Sequence, residues 1–169
     1  MSSNSRLEVA INRIRGSRLF TQQFLKDCSD AEWYWSPPQF TTHLAWQVGH
    51  LAVAQYNLCL RRVRGRTKAD ESLISDAYIE AYKLGSKPAA EPENNPPLDE
   101  IRQVFGAVHQ QTLDELAGRS DAEMDELLAE SHPRFKTKID AVEWSAQHEM
   151  VHAGQIAMLR RLMGKPPLR

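Results

Sequence analysis

Cysteine is scarce: Cys28 and Cys59 are the only two among 169 residues, and no Cys-x-x-Cys occurs. Two isolated cysteines build neither a disulfide framework nor a zinc knuckle, and they read as reduced interior residues. Neither sign of charge is in surplus, with 21 Lys+Arg against 22 Asp+Glu and a formal net charge of -1. Phosphate binding is driven by a basic surplus, so nucleic acid is not expected as a partner. No apolar run approaches the ~18–20 residues needed to span a bilayer, so no membrane partner is expected either. Residues 1–18 lack the continuous apolar core of a signal peptide. Together with the reduced cysteines, this points to a cytoplasmic protein. Internal repeats and the alternating pattern of half-buried strands are also missing. With 41% hydrophobic residues the chain is too apolar for disorder. Its length suits one domain across 1–169, long enough to fold without a metal or disulfide staple.

What is present is helical periodicity, punctuated by prolines at 37, 38, 88, 92, 96, 97, 133, 166 and 167. Four proline-free stretches carry apolar residues at spacings of three and four, near 6–28, 42–63, 98–117 and 138–163. The first aligns Leu7, Ala10, Ile11, Ile14, Thr21 and Phe24 on one face; the third aligns Ile101, Phe105, Val108, Thr112 and Leu116. Ser29-Asp30-Ala31-Glu32 and Ser120-Asp121-Ala122-Glu123 fit capping boxes, the latter opening a short helix to about Glu130. Four amphipathic helices that each need a partner face predict an all-α, four-helix bundle. The connection from the second to the third helix is long. It contains a short extra helix over Ser72–Leu84 and then a Pro/Asn/Glu-rich loop, and the whole stretch between Gly65 and Pro97 is expected to lie outside the bundle. Such a connection does not assure a simple up-down-up-down path.

The chemistry concentrates on the fourth helix, in His148-Glu149-Met150-Val151-His152-Ala153-Gly154-Gln155. Histidines at i and i+4 stack on one face, and these two lie on the seam that should face the core. Buried imidazoles must be satisfied, either by a shared metal ion or by interior hydrogen bonds, and spacing alone leaves both open. The segment is formally HExxH, but residues 153–169 contain no His, Asp or Glu, so the downstream third ligand of a zincin is absent. On the second helix, His43, Gln47, His50, Ala54 and Asn57 form a semi-polar seam beside an apolar one. That suits a lined cavity, to which His50 would bring a third imidazole with coordination positions left open. His43, two turns before His50, is a candidate pocket residue, and more simply a surface histidine at a helix start. Gln47 and Gln155 are polar candidates aimed at the same place. Trp46 and Trp144, each one turn before a histidine, are pocket wall or core. Gly49 and Gly154 each stand beside one of these histidines inside a helix, where glycine costs about 1 kcal/mol against alanine. Arg61, Arg62, Arg64, Arg66 and Lys68 suit the C-terminal dipole of the second helix or could attract an anionic ligand. His109 and His132 suggest no role.

Trp46-Gln-Val-Gly49-His50-Leu-Ala and His148-x-x-x-His152-x-Gly154-Gln155 together resemble the DinB/YfiT-like superfamily. The resemblance covers nearly the whole chain except residues 64–97. It implies a four-helix bundle in which His50, His148 and His152 hold a divalent metal such as zinc, nickel or iron. The well-understood members are thiol-handling enzymes, including bacillithiol S-transferases and mycothiol-dependent maleylpyruvate isomerase. The resemblance therefore implies a metal-dependent thiol S-transferase with a low-molecular-weight thiol cosubstrate and a small-molecule substrate, often dimeric. A hydrolase, or a non-catalytic stress-related bundle that keeps the metal, is the alternative.

Overall fold

Three of the four long helices begin where a side chain accepts a free amide, and the fourth begins after Pro97. In the computed structural model, which describes residues 5–39 and 41–168, α1 (Arg6–Leu25) opens with Ser5 and Glu8 in a reciprocal capping box. Ser29 and Glu32 do the same for the single turn α2 (Asp30–Trp33). The next helix, α3, runs as Leu44–Gln55 and continues through a π-helical turn, Tyr56–Arg61, into Arg62–Arg64. Two short helices follow, α4 (Asp70–Leu73) and α5 (Asp76–Tyr82). Then come α6 (Leu98–Ala117), the single turn α7 (Asp121–Met124) and α8 (Lys138–Leu162), the last opened by a Thr137–Asp140 capping box.

Among the described residues the four long helices form an all-α bundle, and no strand is present beyond one isolated bridge, Leu127 to Thr137. Side-chain pairs give the directions. Arg6 meets Asp140 and Glu143, while Arg160 reaches the Phe24 carbonyl, so α1 and α8 run parallel. Gln55 meets His109 and Arg64 meets Glu115, so α3 and α6 are parallel too. Gln47 meets His152 and Arg18 joins Gln55 to Glu149, so α3 runs antiparallel to α8. The path is up-down-down-up, and the long connection between the two parallel helices makes it possible.

Arg18 ties the four together. Its buried guanidinium donates to Glu149 on α8 at 2.8 Å, to Gln55 on α3 at 2.8 Å and to the Phe105 carbonyl on α6 at 2.7 Å. It also lies 3.5 Å over the Phe105 ring. A buried charge is tolerable only when paired and hydrogen-bonded on every side, and Arg18 meets that condition. Both cysteines are buried and unpaired, as their isolation suggested.

Three expectations need correction. The helix over Ser72–Leu84 is two helices, because Ser75 leaves the helical path and accepts the Tyr78 amide as a fresh cap. The helix after Ser120 ends at Met124, and the chain turns into the Leu127–Thr137 bridge. The stretch between Gly65 and Pro97 does not lie outside the bundle: Ile74, Tyr78 and Tyr82 are buried in the same core as Val48, Leu51 and Phe105. Tyr78 and Tyr82 stand four residues apart on one face of α5, and Gly49 provides the room. A Cβ on Gly49 would sit 2.6 Å from the Tyr82 ring, so this ring packs directly on the α3 backbone.

Candidate metal centre

The antiparallel contact of α3 with α8 brings His50, His148 and His152 together. One ring nitrogen from each can be chosen so that all three lie within 4.8 Å of one another. The ring centroids are 4.5 Å apart for His148 and His152, 4.8 Å for His50 and His152, and 5.2 Å for His50 and His148. His50 and His152 are buried and His148 is half-buried.

Hydrogen bonds behind His50 and His152 set the tautomers of these two rings. Nδ1–H of His50 donates to the Tyr82 carbonyl at 2.8 Å, which leaves Nε2 with a free lone pair. The Gln47 amide nitrogen donates to Thr42 Oγ1 and to Gln155 Oε1, both at 2.9 Å. Its oxygen is therefore the atom facing His152, and Nδ1–H of His152 donates to it at 2.5 Å. This ring too turns a free Nε2 toward the cluster. Imidazole held by a carbonyl or amide oxygen at the far nitrogen is the usual support of a metal ligand.

The electrostatics agree. Burial first, then the neighbouring imidazoles, lower the His152 pKa to about 3. Burial, then the charges of His50 and Arg134, lower that of His148 to about 4. Burial also lowers His50, partly offset by its bond to Tyr82. Three neutral imidazoles at pH 7 are the protonation state a divalent cation requires. The donor set fits zinc, nickel or ferrous iron, all of which accept imidazole nitrogen.

Trp46 stacks on His50 at 4.9 Å with the planes 5° apart, and its indole N–H donates to Ser86 at 3.0 Å. Trp144 lies beneath the Arg134 guanidinium at 4.2 Å. His43 is fully buried and not at the surface. Its Nδ1 accepts the Trp46 amide as the α3 cap, and Nε2–H donates to the Ala89 carbonyl at 2.9 Å. This pins the Pro-rich loop over the start of α3, so His43 supports the segment that carries Gln47 and His50 without joining the cluster. Gly154 faces open space, so close helix approach does not explain it as it explains Gly49.

Glu149 settles the HExxH reading. It is buried, and Arg18 holds its two oxygens at 2.8 and 3.3 Å. It is not available as a base beside the imidazoles.

Sequence reasoning missed Tyr82, whose backbone carbonyl orients His50, and Arg18, the core partner of Glu149. Gly49 was the available signal for the first. For the second it was an arginine four residues after Ile14, in phase with the apolar stripe of α1.

A family model described as the DinB superfamily matches residues 14–156. The chain belongs to the DinB superfamily. The match spans both motif segments as well as residues 64–97, where the motifs themselves gave no alignment. A search of curated proteins found no match. Membership and the three-histidine cluster together describe a metal-binding DinB-like protein.

Proposed function

We propose that this DinB-like protein is a metal-dependent thiol S-transferase, in which His50, His148 and His152 hold the metal and a low-molecular-weight thiol and a small electrophile are the substrates. The observation that carries the reading is the composition of the cluster. It offers three imidazoles, and among the described residues no carboxylate or cysteine joins them. Structural zinc sites are usually closed by four protein ligands, so three leave room for exogenous ligands.

A divalent metal held by the three imidazoles would lower the pKa of a coordinated thiol, whose proton would pass to solvent at neutral pH. The chain's own part is to supply neutral imidazoles, oriented by Gln47 and Tyr82, beside the apolar walls of Trp46 and Trp144. The thiolate sulfur would attack the electrophilic carbon, forming the S–C bond as the leaving group departs with its electron pair. The thiol must come from outside. Cys59 is wholly buried with burial pushing its pKa up to about 12, and Cys28 is buried with a raised pKa. Hydrolysis is less well supported, because the only carboxylate between the two α8 histidines is bound to Arg18.

We also propose a cytoplasmic homodimer. Leu19 and Phe20 on α1, and Met150, Val151, Met158 and Leu162 on α8, are exposed apolar side chains on helices that pack side by side. Sedimentation at several concentrations tests that part.

Metal analysis of untagged protein, followed by a panel of thiols with one electrophile, tests the activity. Stoichiometric metal with thiol-dependent turnover is expected. Turnover of esters or amides without any thiol would replace the transferase with a hydrolase.

A further inference from the structure

A groove of ≈ 390 Å³ lies against the first half of α8, lined by Arg134, Lys136, Asp140, Glu143, Trp144 and Gln147 among others. Its charges are unevenly satisfied. Both carboxylates are taken by Arg6, at 2.9 Å for Asp140 and 2.7 Å for Glu143. Arg134 and Lys136 form no ion pair among the described residues, which leaves the groove positive. Trp144 stands one helical turn before His148 and on the same face of α8, so the groove and the histidine cluster adjoin along one helix.

Arg134 is held in place although it is exposed. The Leu128 amide donates to the Lys136 carbonyl at 2.9 Å, Phe135 is buried, and the Arg134 amide donates to His132 Nδ1 at 3.2 Å. The guanidinium rests on the Trp144 face, leaving its edge of N–H donors for a ligand. An arginine stacked on an aromatic ring presents a rigid fork that matches carboxylate or phosphate oxygens.

We infer that Arg134, stacked on Trp144, is the anchor for a carboxylate or phosphate carried by the thiol that enters the centre, so that the cosubstrate is an anionic thiol. This rests on the thiol-transferase reading above and narrows it. The thiol's sulfur lies at the histidine cluster while its anionic end lies one turn back along α8, and a neutral thiol gains nothing from the groove.

The test uses the cobalt-loaded protein with two thiols of equal length, mercaptohexanoate and mercaptohexanol, whose chains are too long to close a small chelate ring on the ion. The sulfur-to-cobalt charge-transfer band reads binding. Mercaptohexanoate is expected to bind roughly tenfold more tightly than mercaptohexanol, the size of one charge-assisted contact. Arg134→Gln should erase that preference while leaving the mercaptohexanol affinity and the visible cobalt spectrum unchanged. Equal binding in the native protein, or a preference that survives in Arg134→Gln, overturns the anchor and leaves the transferase reading standing. A cobalt-loaded protein that shows the band with neither thiol overturns the transferase reading and the anchor together.

Discussion

The side-chain amide of Gln47 bridges two residues of α8: its oxygen accepts from Nδ1 of His152 at 2.5 Å while its nitrogen donates to Gln155 at 2.9 Å. One amide thus sets both the tautomer of a cluster histidine and the spacing of α3 from α8. Gln47→Leu should lower metal affinity by about 10–100-fold, as loss of a partner behind a ligand usually does. Competition with a chromogenic chelator measures it; an unchanged affinity would mean that Gln47 only packs.

His148→Ala removes one of the three imidazoles and should abolish tight metal binding. Its cost in stability should be below about 2 kcal/mol, because the apolar seams and the Arg18 network do not pass through His148. Thermal melts of the variant, and of native protein with and without chelator, provide the check. A large, matching fall in both would make the metal structural.

Glu149→Ala strips Arg18 of its only carboxylate partner among the described residues. Breaking a buried pair from one side should cost about 3–5 kcal/mol. The milder Glu149→Gln should keep the metal bound, and with it thiol-dependent turnover. Loss of turnover in a folded, metal-loaded Glu149→Gln protein would instead restore a base role to this carboxylate.

Gly49→Ala places a methyl group 2.6 Å from the Tyr82 ring. The ring must move, at about 1–3 kcal/mol, outweighing the gain in helix propensity. Because the Tyr82 carbonyl holds His50, metal affinity should fall in parallel. Urea melts together with a metal titration would expose a variant in which only one of the two changes.

Metal-free protein should lose stability as the pH falls. The His148 and His152 pKa values, about 4 and about 3, lie below the unfolded value near 6.5. Between those limits the unfolded chain binds more protons than the native one, so stability is full above about pH 6.5 and declines toward pH 3–4. The decline should amount to a few kcal/mol, and a double His148→Ala, His152→Ala variant should show a flatter profile in denaturant melts at stepped pH.

Much of the bundle could be read from local chemistry. Prolines, capping boxes and three-four spacing place α6 over the range expected for it, and α8 within a residue, because these signals act within a turn or two of where they stand. The histidine cluster was legible for a related reason: the i, i+4 pair fixes a face of α8, and the semi-polar seam of α3 fixes the face that meets it. Both faces are properties of a helix alone.

What the helices could not reveal are contacts whose partners are distant in the chain and chemically unmarked. The oxygen that orients His50 is a backbone carbonyl, which every residue possesses, so nothing at Tyr82 announces it. His43 looks like a surface histidine until the Pro-rich loop folds back and gives it the Ala89 carbonyl. Glu149 sits between two cluster histidines in sequence, yet its carboxylate is taken by Arg18, which reaches it from α1. Periodicity assigns each side chain to a face, and only the packing of one face on another decides which distant group it meets there.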